Sequence, residues 1–486
     1  MIVRPTTGLI LLTLLAAPLG AQPLDAAALG RALDRALPTA SAEAAREVYA
    51  ARADSRLWTD RDGLSERGRQ LVTALGQAGA DGLDPAAYLS PVPSAPVAAE
   101  AGLTAAFLGF SEDLMHGRVD PASVHRDWRA TRRRLDASAA LRLAAWRGPE
   151  AAIRAARPPH AGYARLRDAL ADLRARPAPT PLPDGPILRL GDQGPAVAAL
   201  RRRLADDSAL SASGDTFDAA LETAVRRAQS RLGLAIDGAV GPATRAALNA
   251  GPAETIRRVV LNLERWRWLP ADLGARHLVV DVAGMQAALV DGDRAVWQSR
   301  AIVGTPRTPT PGLSSLVEHV VLAPYWVVPE SIARAEIRPR LARDPGYLAR
   351  HHMDRLPGGT IRQRPGPDNP LGPAKLIFAN PFGVRVHGTS APSLFEARVR
   401  AFSHGCIRVE RPLALAAQLL PGMSPDEIAA TAATDTDVWI ALDAPVPIHV
   451  VYWTARVDAD GMLLLRPDVY GRDRALARAL GLRAPS

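Results

Sequence analysis

Apolar positions recur at helical spacing in the first third of the chain and alternate in the last third. Leu29, Leu33 and Leu37 stand four apart on one helix face, and Leu166, Leu170 and Leu173 mark another. Pro38, Gly82, Pro85, Pro91, Pro93, Pro96, Pro121, Pro158 and Pro159 cut this region into short segments. The pattern predicts an all-helical domain over 22–176, with Trp58, Trp128 and Trp146 packed between helices. Residues 177–186 are Pro-rich and read as a stiff spacer. Three short helices separated by glycine turns are predicted over 187–250, the second carrying Phe217, Leu221, Val225, Ala228 and Gln229. Residues 251–275 read as a connector.

From 276 the period changes to two. His277–Val282 and Met285–Val290 flank a turn at Gly284. Further strands are predicted at Ser299–Val303, Ser314–Leu322, Leu376–Phe378, Val384–His387 and Val438–Leu442, with a hairpin from His449 to Leu465 and a helix at Arg472–Leu480. Inside this β region, residues from about 330 to 367 are polar, partly helical and punctuated by Pro and Gly. An insertion of that kind reads as a lid. The expected fold class is therefore multidomain α+β: a helical domain, a small three-helix domain, and a mainly-β domain spanning 276–486 with a helical lid.

Composition narrows the partners. The chain has 486 residues, 48% of them hydrophobic, enough for several packed cores. Its net charge of +9 comes almost wholly from arginine. The N-terminus joins one early charge, Arg4, to an apolar run and then small residues ending at Ala21. That is the build of a secretory leader over 1–21, which predicts export to the periplasm. No stretch predicts a stable membrane span. Export and the absence of a dense Lys/Arg run with interleaved aromatics argue against nucleic acid. The positive balance suits an acidic envelope polymer instead.

One residue carries the chemistry. Cys406 is the only cysteine, so no internal disulfide can form. It lies in Ser403-His404-Gly405-Cys406-Ile407-Arg408, and His387 ends an upstream strand-like run. Cationic neighbours favour a thiolate, and a histidine can take its proton. Gly405 permits a tight turn that could aim the Gly405 and Cys406 amides at an oxyanion. No metal or cofactor is called for: His351-His352 has no third ligand at a recognisable spacing.

These residues resemble the YkuD-type L,D-transpeptidase family, whose motif is a histidine, about fifteen residues, then Ser/Thr-His-Gly-Cys. Gly304–Pro311, Tyr325–Ile332, Arg362–Gly366, Asn369–Gly372, Ser393–Phe395 and Tyr452–Thr454 resemble the large YcbB-like subgroup, which also carries a scaffold domain, a peptidoglycan-binding module and an inserted lid. The 187–250 segment is similar to the first type of peptidoglycan-binding domain, with Ala228-Gln229 where that family usually has Phe-Gln. A second departure is His387-Gly-Thr-Ser390 in place of His-Asp-Thr-Pro.

The resemblance implies a fold, an activity and roles. Cys406 would attack the third stem residue of a donor tetrapeptide, D-Ala would leave, and a diaminopimelate amine would resolve the thioester. His387 would be the base, held by the Gly388 carbonyl. His404 would support the loop, and Gly405 would supply an oxyanion amide. Arg408 would hold a substrate carboxylate, while Ser403, Tyr325 and Trp326 would line the substrate cleft. The implied partners are peptidoglycan stem peptides, donor and acceptor, and other cell-wall synthases. Hydrolysis of the same acyl-enzyme, or envelope binding without catalysis, remain the competing readings.

Overall fold

The computed structural model describes residues 24–52, 55–129, 133–177, 180–205, 210–292 and 294–482. The expected leader, 1–21, lies outside the described residues. No helix among those described is long and apolar enough to cross a membrane.

The N-terminal region is helical. Its main helices are Ala26–Ala36, Thr39–Ala50, Glu66–Gly76, Pro96–His116, Ala137–Arg147, Pro149–Ala156 and Ala161–Ala175. Asp25, Ser65 and Asp136 cap three of them through side chains that accept first-turn amides. Pro96 and Pro149 sit at first positions, where the missing N–H costs nothing. Trp58 and Phe107 are fully buried in the core, and buried Glu100 accepts from the Trp58 and Thr59 amides and from the Tyr49 hydroxyl. Trp146 departs from expectation: it is 71% exposed, with the Arg147 guanidinium 4.2 Å from its ring centroid. Its helix buries Ala137, Leu141 and Ala144, and position 146 falls about 200° around from 144.

Residues 180–186 are not a free spacer. Asn249 brackets Leu182, accepting from its N–H at 2.7 Å and donating to its carbonyl at 2.8 Å. Arg245 donates to the Gly185 and Pro186 carbonyls, and Leu182 joins the core of the three-helix unit formed by Pro195–Ala205, Ala219–Leu232 and Pro242–Asn249.

The expected connector is instead a 16-residue helix, Pro252–Arg267, buried along its second half. Its apolar residues in that half, Val259, Val260, Leu261, Leu263 and Trp266, are interleaved with Asn262, Glu264, Arg265 and Arg267. Glu264 accepts from the Val119 amide at 2.9 Å and pairs with Arg267 at 2.9 Å. Arg267 also donates to the Asp81 carbonyl and, at 3.1 Å, to Tyr163. On another side Arg265 pairs with Asp473 at 2.7 Å, and Asn262 bonds Thr454 through both backbone and side chain. Buried charges of this kind persist only when paired. Here the pairs fasten the N-terminal helices to the C-terminal domain.

That C-terminal domain is a closed ring of strands. Taken around, they are Gly312–Leu322, Val438–Val451, Arg276–Asp281, Gln286–Asp291, Arg294–Gly304, Ile407–Val409, Val386–His387 and Ala374–Phe378, and the last pairs with the first. Closure removes free edges. The interior holds Leu278, Val280, Leu289, Val303, Val320, Phe378, Val386 and Ile407, joined by Leu415 and Ile428 from two following helices. Val119 and Trp128 of the N-terminal region belong to this same core. Trp128–Arg129 adds a short parallel strand to Gly312–Leu313, and a Cβ on Gly312 would overlap the Trp128 indole.

The insertion is not purely helical. Trp326–Val327, Ile361–Gln363 and Met353–Arg355 form a small sheet. With the helical run from Glu330 to Arg343 it encloses its own core of Val328, Ala333, Ile337, Met353 and Ile361.

Candidate active site

Alternation along two short strands builds the site. Val386–His387 pairs in parallel with Ile407–Val409, matching Val386 to Ile407 and His387 to Arg408. Val386, Ile407 and Val409 point into the core. Period two then puts Arg385, His387, Cys406 and Arg408 together on the outer face. One step back in the same register sets Cys406 beside Arg385, in accord with the Ile407 amide donating to the Arg385 carbonyl at 2.9 Å. The strand spacing puts the His387 and Cys406 Cα atoms about 8 Å apart on that face.

His387 is nearly fully buried, and its Nδ1 lies 2.7 Å from the Gly388 carbonyl. A carbonyl only accepts, so Nδ1 carries a proton in this contact and Nε2 is left as the basic nitrogen. Burial above all, then the Arg408 charge, pushes the ring down to about 3. Burial also pushes the Cys406 thiol up, opposed by the Arg385 backbone and by the Arg385 and Arg408 charges. Neutral thiol and neutral imidazole therefore face one surface at neutral pH.

The loop before Cys406 is held from inside. Ser403, 1% exposed, donates through Oγ to the Cys406 carbonyl at 2.5 Å and accepts from the Gly405 amide at 3.1 Å. That second bond alters the reading of Gly405. Its N–H is committed to Ser403, so it does not serve as an oxyanion donor in this arrangement. What Gly405 supplies is a backbone at φ +108°, which side chains rarely adopt. Ser403 likewise braces the loop from its buried side. Thr310 donates to the Gly405 carbonyl at 2.9 Å, and Thr308 to the Ser403 carbonyl at 3.1 Å. The Gly304–Pro311 run is thus a brace for the cysteine turn.

His404 turns away from that brace. Its side chain is 59% exposed, and Nε2 stands 3.6 Å from the Glu336 carboxylate on the insertion. Among the described residues it makes no hydrogen bond to the loop, so its contact is with the lid. Tyr325 lies under the Arg362 guanidinium, 4.0 Å from the ring centroid, and donates to the Asp435 carbonyl at 3.3 Å. Trp326 is half-buried against the insertion's own core. Arg408 is half-buried, and its Nε has no hydrogen-bond partner. Sequence reading passed over Arg385 and Lys375, two further cations on the same face; Lys375 is matched to His387 across the neighbouring strand. The signal was there in the alternation of Ala374–Phe378, once that strand is placed beside His387.

Three family models match this chain. A scaffold domain matches residues 43–170, a domain described as "Putative peptidoglycan binding domain" matches 193–248, and an L,D-transpeptidase catalytic domain matches 275–439, which holds His387 and Cys406. Residues 275–439 match the L,D-transpeptidase catalytic domain family. Along the chain the scaffold match comes first, the peptidoglycan-binding match second and the catalytic-domain match third. A curated Haemophilus influenzae protein, named "Putative L,D-transpeptidase", is 28% identical over 208 residues. That match covers 38% of this chain and 42% of the relative, so it spans less than half of either. Among solved structures, an L,D-transpeptidase from Xylanimonas cellulosilytica is 19% identical, covering 55% of this chain and 99% of that one at a TM-score of 0.19. One from Stackebrandtia nassauensis is 13% identical, covering 56% and 96% at a TM-score of 0.22.

Proposed function

We propose that this protein is an L,D-transpeptidase that joins diaminopimelate residues of neighbouring peptidoglycan stems through a Cys406 thioester. The observation that carries the reading is that adjacent paired strands set His387 and Cys406 on one outer face inside the matched catalytic domain. Nε2 of His387 takes the thiol proton as Sγ attacks the donor's third-residue carbonyl. The C–N bond to D-Ala breaks and the proton goes to the departing amine. An acceptor amine then attacks the thioester, forming the new amide and returning the proton to Sγ. A neutral imidazole is the form that can accept that first proton, which its lowered pKa supports. Arg408, with its unpartnered buried Nε, suits a substrate carboxylate.

The action is extracytoplasmic in this reading. The leader-like first 21 residues and the match to a peptidoglycan-binding module favour the periplasm. Other cell-wall synthases are the natural suppliers of the donor strands.

The test is incubation with disaccharide-tetrapeptide, read by mass spectrometry. Cross-linked dimer with loss of D-Ala is expected. Tripeptide monomer alone would mean that water, not an amine, resolves the thioester. Product formation by a Cys406→Ala variant would overturn the nucleophile.

A further inference from the structure

The outer face that holds the thiol continues past His387. Val386–His387 pairs with Ala374–Phe378, matching His387 to Lys375, and Ala374–Phe378 pairs with Gly312–Leu322, matching Lys375 to Val321. Val321 is in turn matched to Trp439. Directly paired residues share a face. One row therefore runs Arg408, His387, Lys375, Val321, Trp439, and Cys406 and Arg385 lie one row along from it. The neighbours of Lys375, Ala374 and Leu376, fill the barrel core, which confirms that Lys375 points outward.

Lys375 is half-buried, and among the described residues it has no ion-pair partner. Its Nζ sits 5.5 Å from the centroid of the Trp439 ring, which is 54% exposed. The acidic group that Lys375 feels is Asp437, whose carboxylate accepts the Trp439 indole N–H at 2.9 Å. Arg385 donates to its neighbour's carbonyl, Val384, at 2.8 Å and likewise has no carboxylate partner among the described residues. Two half-buried cations, neither in a salt bridge among the described residues, stand beside a nucleophile and an aromatic ring, with Asp437 as the acidic group that Lys375 feels; an anion from outside would complete the group.

We infer that Lys375 and Arg385, with Trp439 as an apolar wall, form a specificity subsite for a free carboxylate of the acyl donor, set several bonds from the carbonyl that Cys406 attacks. The distance fits. Lys375 stands two strands and two residues from Cys406, about 12 Å between Cα atoms, and its side chain reaches back over roughly half of that. The subsite is distinct from Arg408, which lies on the other side of His387. A donor would then be held by carboxylates on both flanks of the base.

This inference rests on the acyl-transfer reading, and its test has two arms. In the first, full-length wild type, Lys375→Met and Lys375→Arg are acylated by a tetrapeptide donor, either with its side-chain carboxylate free or with that group amidated. Wild type should favour the free acid by about tenfold in kcat/KM, the size of one charge-assisted contact. Lys375→Met should lose the preference through KM, and Lys375→Arg should regain most of it. The second arm needs no transpeptidase activity. N-chloroacetyl-glutamate should alkylate Cys406 faster than N-chloroacetyl-glutamine in wild type and not in Lys375→Met, while iodoacetamide rates stay equal and certify fold and thiol. Failure of donor acylation with the glutamate preference intact would sink the transpeptidase reading alone. No acid preference in wild type, or the same preference in Lys375→Met, would overturn the subsite.

Discussion

Ser403 and Cys406 are joined across the turn that leads into the cysteine: the serine hydroxyl donates to the cysteine's own carbonyl while accepting the Gly405 amide. The serine that begins the motif thus acts from beneath the loop. Ser403→Ala would strip both groups of their partner in a buried place, at about 1–3 kcal/mol. We expect a lower Tm and acylation slowed by at least roughly tenfold, with Ser403→Thr recovering part of both. Thermal melts and intact-mass acylation rates check this; an unaltered rate in Ser403→Ala would remove the brace from the mechanism.

Gly312 leaves room for the Trp128 indole. Gly312→Ala puts a methyl where the ring lies, and a rigid ring cannot bend aside, so about 1–3 kcal/mol should be lost. Limited proteolysis should then release the N-terminal helices from the barrel at lower temperature than in wild type.

Glu264→Gln removes one charge from a fully buried pair and leaves Arg267 short of its partner. Breaking such pairs costs roughly 3–5 kcal/mol. Chemical denaturation should show a large fall in stability, whereas Arg142→Ala, which breaks the exposed pair with Glu47, should change it by less than about 0.5 kcal/mol.

Acid should destabilise the fold through buried histidines. Burial, the first cause for each, pushes His125 and His387 down to about 3 and His160 and His449 down to about 4. A lowered pKa means that the folded chain binds fewer protons than the unfolded chain. The stabilising effect is present above the unfolded value near 6.5 and fades as pH falls toward 3–4. Each such group contributes a slope of up to about 1.4 kcal/mol per pH unit in that window. His160 and His449 contact the carbonyls of Pro270 and Leu273, in the stretch between the buried helix and the first barrel strand. Tm should be flat from pH 7 to 8 and drop steeply below 6; His160→Gln should shrink that drop. A Tm independent of pH down to 4 would contradict it.

The helical and β regions were legible because their apolar periods differ, and the Ser403–Cys406 turn because its residue types are rare together. What escaped notice was polar. The Pro252–Arg267 helix buries Asn262, Glu264, Arg265 and Arg267 among its apolar residues, and burial on every side leaves no polar face for a hydrophobic period to mark. Trp146 escaped for the opposite reason: aromatic character alone does not say which side of a helix it occupies. Lys375 became visible only through the pairing of distant strands, a long-range relation with no local trace. Ser403 and Gly405 were read as substrate-side groups because a motif gives neighbours in sequence and not the direction in which each one points.

Trp128 and its two-residue strand have a practical consequence for anyone trimming this chain. A fragment beginning at the barrel would lose Trp128 and Val119 from its own core and the parallel strand from the Gly312 end of its sheet. Such a fragment would expose a greasy, ragged seam, and its instability would be mistaken for a property of the whole chain. The boundaries that cloning favours and the boundaries that packing respects are different places in this protein.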